Sequence, residues 1–281
     1  TITIPGGHLL QAGDTARIGL AGFFSAMMNE DTKNYSAEQM AVELQKLGSN
    51  VNVGSSLDGI TFSVQCLKKN LAKTMALVEE RMLNPKFTEA AFSRIQKQRL
   101  EGFKQTKADP AAVAEIVFAK INYGPNNILS MSQNGTEYTI KNLKLQDIEN
   151  YYSNYMGSKG VKVVIVGDVK QEEVVPQLAF LNKLPNKKVE IPAVNGIASG
   201  IDKTKVYMVD IPKAAQSQFR VGYATGLKYD ATGDYYRTML MTKPIWARWC
   251  RHGNRLSLPR ARSSSSTSPE PIPMSTTGCA A

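Results

Sequence analysis

Residues 19–29, GLAGFFSAMMN, decide the fold. The stretch is apolar and rich in small residues, has helical length, and lacks strand-like alternation, so it reads as a buried helix. Working outward, Ser36 opens a second helix with Gln39 three residues on as a capping box. Met40, Leu44 and Leu47 form its inner stripe and Gly48 stops it. Val51 and Val53 then alternate with polar residues, Asp58-Gly59 turns the chain, and Ile60, Phe62, Val64 and Cys66 alternate again, which predicts an antiparallel hairpin with one buried face.

The pattern continues with a helix capped by Asn70, carrying Leu71, Met75, Val78 and Met82 inward and ending at Asn84-Pro85. A longer helix runs from Thr88 through Ala91 to Phe103, with Phe92, Ile95 and Phe103 inward and Arg94, Lys97 and Lys104 outward. Asp109-Pro110 starts another, through Val113, Ile116, Val117 and Ile121, which stops near Gly124-Pro125. Gly135 to Asn142 and Leu145 to Met156 are helical pieces. The β-branched run Val161 to Gly167 predicts a central strand. A helix around Glu172 to Leu181 and a linker from Pro185 to Gly200 follow, then strands at Val206–Val209 and Phe219–Tyr223 and a helix around Gly233 to Met241.

The length, 281 residues, suits two α/β modules. Hydrophobic residues make up 42% and charged residues 21%, an ordinary globular composition. No apolar run is long enough for a membrane span, so no membrane partner is expected. The net charge of +10 is uneven. Residues 245–281 hold five arginines and one acid, leaving 29 basic against 23 acidic residues in the body. Lysines of the body are dispersed, so the charge reads as a solvated basic surface and no nucleic-acid partner is expected. After Pro244 periodicity ends, and Trp246, Trp249, Cys250, His252, Cys279 and the serine run Ser263–Ser266 fall together. That segment reads as a disordered tail or an out-of-frame product, the second being favoured. The opening Thr1-Ile-Thr-Ile-Pro-Gly-Gly7 has no initiator Met and no secretory pattern, so the chain reads as a piece of something longer.

Cys66, Cys250 and Cys279 are too scattered for a disulfide framework or a metal motif. No phosphate-cradling glycine loop occurs. His8 and His252 are the only histidines, and neither lies where a catalytic set is expected.

The order of elements carries more. Gly19-Leu-Ala, Leu47-Gly48, Leu83-Asn-Pro-Lys-Phe87, Asp109-Pro110, Tyr123-Gly124, Asn134-Gly135-Thr136-Glu137, Val166-Gly167-Asp168-Val169 and Asp210-Ile-Pro-Lys-Ala-Ala-Gln-Ser-Gln218 together resemble the pitrilysin/insulinase (M16) family of zinc metallopeptidases, over about Pro5 to Leu240. The resemblance implies an α+β fold of two-layer α/β sandwich modules, mitochondrial processing peptidase-like. The first would span 1–143, the second, incomplete, 144–244, with 245–281 anomalous.

Active members of that family carry HxxEH on the helix after the Gly-Leu-Ala, two His binding zinc and the Glu activating water, with a Glu from a later helix as third ligand. On this sequence the motif falls on Gly22-Phe23-Phe24-Ser25-Ala26, and the third ligand on Gly102. Glu101 is adjacent but about 100° away around the helix. No catalytic, cofactor-binding or metal residue is therefore expected here, and zinc is expected only in a catalytic partner. The family's Arg and Tyr substrate-holding segment would follow the helix around Gly233 to Met241, where the anomalous tail stands instead. The resemblance implies an inactive half that forms part of a peptide-binding chamber with an HxxEH-bearing half or subunit. The alternatives are a scaffold subunit of the same fold without a peptidase role and, motivated only by the charge, a basic nucleic-acid-binding protein.

Overall fold

The computed structural model describes residues 1–194, 203–212, 214, 216–222, 233 and 236–237. The chain divides into a unit spanning Thr1–Ala224 and another spanning Thr225–Ala281. In the second, Tyr236 and Arg237 are helical. The rest of the expected helix around Gly233 to Met241, and the tail at 245–281, lie outside the described residues.

The first unit is built on a four-stranded antiparallel sheet of order β2-β3-β1-β4, from β1 (Ile2–Pro5), β2 (Asn50–Ser55), β3 (Gly59–Gln65) and β4 (Lys162–Val163). The predicted hairpin is β2 and β3, with Val53 opposite Phe62 and Val51 opposite Val64. Ile2, Ile4, Val51, Val53, Ile60 and Phe62 bury one face. On the other, Thr3 and Thr61 face each other with hydroxyls 3.2 Å apart, and Asn52 and Ser63 are exposed. A sheet apolar on one side only needs one covering layer.

Helices supply it. They are α1 (Leu20–Met27), α2 (Ala37–Lys46), α3 (Leu71–Leu83), α4 (Glu89–Ala108), α5 (Pro110–Tyr123), α6 (Glu137–Asn142), α7 (Leu145–Tyr155) and the short α8 (Gln171–Val174). The Ser36–Gln39 capping box opens α2 as expected, both reciprocal bonds being present. Asp109 caps α5 through Ala111 N–H, with Pro110 at the first helical position. The core joins α1, α3, α4 and α7 to the sheet: Phe23 stacks on Phe92 at 4.8 Å and Phe24 on Tyr151 at 4.5 Å between ring centroids. The Tyr151 hydroxyl accepts a hydrogen bond from Gly7 N–H at 3.1 Å, and burial pushes its pKa up.

Several local expectations are corrected. The run Val161 to Gly167 is not a central strand. It contributes only β4, at the sheet edge, and Val164, Ile165 and Val166 are exposed. The reason lies in register: β4 runs antiparallel to β1 with Val163 opposite Ile2, and Val164 bonds to Thr1 in both directions. Val206–Val209 and Phe219–Val221 are exposed and carry no strand among the described residues, and Tyr223, the end of the second expected strand, lies outside them. The helix expected over Glu172 to Leu181 is α8 followed by a 3-10 helix, Val175–Lys183. Pro176 has no N–H to continue the α-helical ladder. Asn70 does not cap α3; its side chain donates to the Leu47 carbonyl at 2.7 Å, and a 3-10 turn precedes the helix.

Among the described residues no helix is long and apolar enough to cross a membrane.

Glu137 ties α6 to α4, with Lys141 at 2.9 Å and Lys107 at 3.0 Å holding its carboxyl pKa at about 2 instead of 4.5. A depressed carboxyl pKa stabilises the fold above the unfolded value and loses that contribution as pH falls through the folded one. Glu137→Gln is therefore expected to be less stable than the unmodified chain at neutral pH, a small difference that salt narrows and that has mostly gone by about pH 2. Urea midpoints measured at both pH values check this; a pH-independent difference contradicts it.

Candidate functional site

The helix that decided the fold also places the site. Leu20, Ala21, Phe23, Phe24, Ser25 and Met27 of α1 are buried, while Gly22 and Ala26 are not. Four residues apart, these two share one face of the helix. They are the first and last positions of the motif that the family resemblance lays on this chain.

Both ends of α1 are held firmly. At its start Gly19 adopts φ +98°, and a Cβ there would lie 2.7 Å from the Gly135 Cα. Gly135, at φ +81°, would in turn place a Cβ 2.6 Å from the Ile18 carbonyl oxygen. Backbone meets backbone at this point, which explains why glycine stands in both Gly19-Leu-Ala and Asn134-Gly135-Thr136. Just past the other end, the Asn29 amide donates to Val53 O at 2.8 Å and accepts from Val53 N–H at 2.9 Å, fastening the helix to β2.

Gly22 and Ala26 carry no donor atom. Ser25, where the family's glutamate stands, is buried and donates its hydroxyl hydrogen to the Gly22 carbonyl at 2.9 Å. On α4, a Cβ at Gly102 would meet nothing within 4 Å. Glu101 is exposed and pairs with Lys104 at 2.9 Å, away from α1. No histidine, cysteine or carboxylate stands at any of the three positions, and this set does not fit zinc.

A residue the sequence reading passed over occupies the place. Arg99, one turn before Gly102 on the same side of α4, donates from Nη2 to the Gly22 carbonyl at 2.6 Å. Its guanidinium carbon lies 5.6 Å from the centre of the Phe23 ring, within cation–π range. A Cβ at residue 22 would come within 3.5 Å of both Nη atoms and 3.0 Å of the Gln133 carbonyl oxygen. Burial lowers the Arg99 pKa. The only available signal was its spacing of three from Gly102, since the charge alone resembled the outward Arg94 and Lys97.

The other candidates are structural. His8 is buried, and its Nε2 is 3.0 Å from the Ile128 carbonyl, which can only accept, so that nitrogen carries the hydrogen. His252, Cys250 and Cys279 lie outside the described residues. The Cys66 thiol is pushed up by burial, with a hydrogen bond from Thr74 opposing, which is the reverse of an activated nucleophile. Among the described residues no three His, Cys, Asp or Glu side chains cluster as a metal site would require.

An antiparallel sheet apolar on one face and covered there by helices is the mixed α/β architecture that the resemblance implied. Comparison with known proteins agrees. The model described as Insulinase (Peptidase family M16) matches residues 1–126, and that described as Peptidase M16 inactive domain matches 142–243. The chain belongs to the M16 peptidase family. It is 27% identical over 176 residues to a Helicobacter pylori protein named as the non-peptidase homolog YmxG, covering 62% of this chain and 40% of that relative. It is 23% identical over 167 residues to the probable mitochondrial-processing peptidase subunit beta of Arabidopsis thaliana, covering 58% of this chain and 30% of the relative. The chain thus spans well under half the length of these two relatives. Among solved structures, the peptidase M16 inactive domain from Pseudomonas fluorescens superimposes with a TM-score of 0.63 at 21% identity, over 70% of this chain and 47% of that one.

Proposed function

We propose that this chain is a zinc-less half or subunit of an M16-type peptidase, forming part of a peptide-binding chamber whose catalysis is performed by an HxxEH-bearing partner. The observation that carries this reading is the half-buried face of α1, where Gly22 and Ala26 offer no ligand and Ser25 no base. Water activation on zinc needs all three functions together. Without them the helix keeps its packing and loses the chemistry, leaving the module a role as wall and docking surface. The name of the Arabidopsis relative, a subunit, supports a partner.

The purified chain is expected to show no peptide hydrolysis and no stoichiometric zinc; stoichiometric zinc by elemental analysis, or cleavage by the chain alone, contradicts the reading. Co-purification with an HxxEH-bearing chain, and peptide hydrolysis by the mixture above that of the partner alone, is the supporting result. A second reading, a scaffold of the same fold with no peptidase role, is favoured by the name non-peptidase homolog borne by the Helicobacter relative. A stable complex whose partner has no need of this chain for hydrolysis supports the scaffold.

A further inference from the structure

We infer that the half-buried Arg99 guanidinium, set beside the Gly22–Ala26 face of α1, is a binding site for a peptide carboxylate. The inference rests on the chamber reading for the peptide and on the geometry for the rest. A half-buried charge normally has a counter-charge nearby. Arg94 pairs with Glu30, Arg17 with Asp14 and Asp147, and Arg220 with Glu115, but no carboxylate of the described residues pairs with Arg99. Its protein contacts are Gly22 O from Nη2, and Asn134 O and Oδ1 at 3.5 Å from Nη1, the outer limit of a hydrogen bond. Among the described residues nothing accepts from Nε.

The side chain is nevertheless fixed. Phe23 lies against the guanidinium and the short Gly22 bond sets its rotation. A planar cation with unspent N–H groups matches a carboxylate in two-point geometry. Gly22 is covered by the guanidinium and the Gln133 carbonyl, so a peptide end would meet the guanidinium rather than the helix backbone. Beside a helix face that carries no metal ligand, this chain holds an organic cation, which binds an anion without activating water.

The test uses the full chain and three short acetylated peptides at about 0.15 M salt, where long-range attraction to the basic surface is largely screened. One has a free C-terminal carboxylate and no acidic side chain, one is the same peptide amidated, and one is amidated with a central Glu. By calorimetry, at least one carboxylate-bearing peptide is expected to bind about tenfold or more tighter than the neutral one, a factor in keeping with a charge-assisted bond. Which of the two it is identifies the source of the carboxylate. Arg99→Gln is expected to abolish the preference and Arg99→Lys to retain part of it. Equal binding of all three peptides overturns the inference, as does an undiminished preference in Arg99→Gln. Should Arg99→Gln not fold, phenylglyoxal labelling of the unmodified chain decides: the carboxylate peptide must protect Arg99, and unchanged labelling overturns the site. A mixture with the catalytic partner that is active while no carboxylate preference exists removes this inference alone. A silent mixture with the preference intact removes the chamber reading alone.

Discussion

Introducing the four residues of an active site, Gly22→His, Ser25→Glu, Ala26→His and Gly102→Glu, is expected not to restore zinc binding while Arg99 remains. Adding Arg99→Leu is expected to raise the zinc affinity by about a hundredfold or more. The argument is electrostatic and steric. Like charges about 4 Å apart repel by about 4 kcal/mol per unit pair at an effective dielectric constant near 20, and zinc carries two units. Solvent screening at this half-buried site reduces that figure, so a hundredfold, about 2.7 kcal/mol, is a conservative expectation. A histidine at position 22 would also start with its Cβ within 3.5 Å of both Arg99 Nη atoms and 3.0 Å of Gln133 O. At Gly102 the space is open, so the glutamate should enter without strain. The triple change without Gly102→Glu should bind more weakly still, since it lacks one ligand. Competition against a chelating dye measures all of these. Equal affinity with and without Arg99 would show that the arginine does not occupy the metal's place.

The second large effect is expected at Gly19→Ala. The new methyl would stand 2.7 Å from Gly135 Cα, 2.8 Å from Gly135 N and 2.9 Å from Asn134 O, all main-chain atoms that cannot rotate away. The residue would also keep a φ of +98°, outside the ordinary range of an alanine. Strain of this kind costs about 1–3 kcal/mol in the backbone alone, and the clash adds to it. Domains of this size are stable by only about 5–15 kcal/mol. Gly19→Ala should therefore be largely unfolded or strongly shifted in urea midpoint, with Gly135→Ala close behind. Gly102→Ala, at an open helical position, is the control and should be neutral or stabilising. A Gly19→Ala chain as stable as the unmodified one would mean that the two backbones are not in contact.

Much of the fold was legible because its signals are local. A Ser at the start of α2 with Gln39 one turn on, a Pro110 behind Asp109, and a two-residue alternation on each side of Asp58-Gly59 each act within a few residues. Apart from the local break at Pro176, the failures concern partners distant in the chain. Val161 to Val166 has the composition of a central strand, yet among the described residues it pairs with β1 alone and over two residues, at the sheet edge. Asn70 has the chemistry of a cap, but the Leu47 carbonyl claims its amide. Arg99 was invisible for a related reason: a long side chain on the margin of an amphipathic helix turns inward or outward according to what it meets.

What the amino-acid order determined unaided is covalent. Gly22, Ala26 and Gly102 have no side-chain atom able to bind a metal, whatever the chain does in space, and the spacing of apolar residues sets which segments coil and which extend. Packing alone decided what stands where the ligands are missing. Arg99 reaches Gly22 across 77 residues, and Gly19 touches Gly135 backbone to backbone. Contacts of that kind arise only when helices close over the sheet, because no local propensity encodes which distant atom will be waiting there.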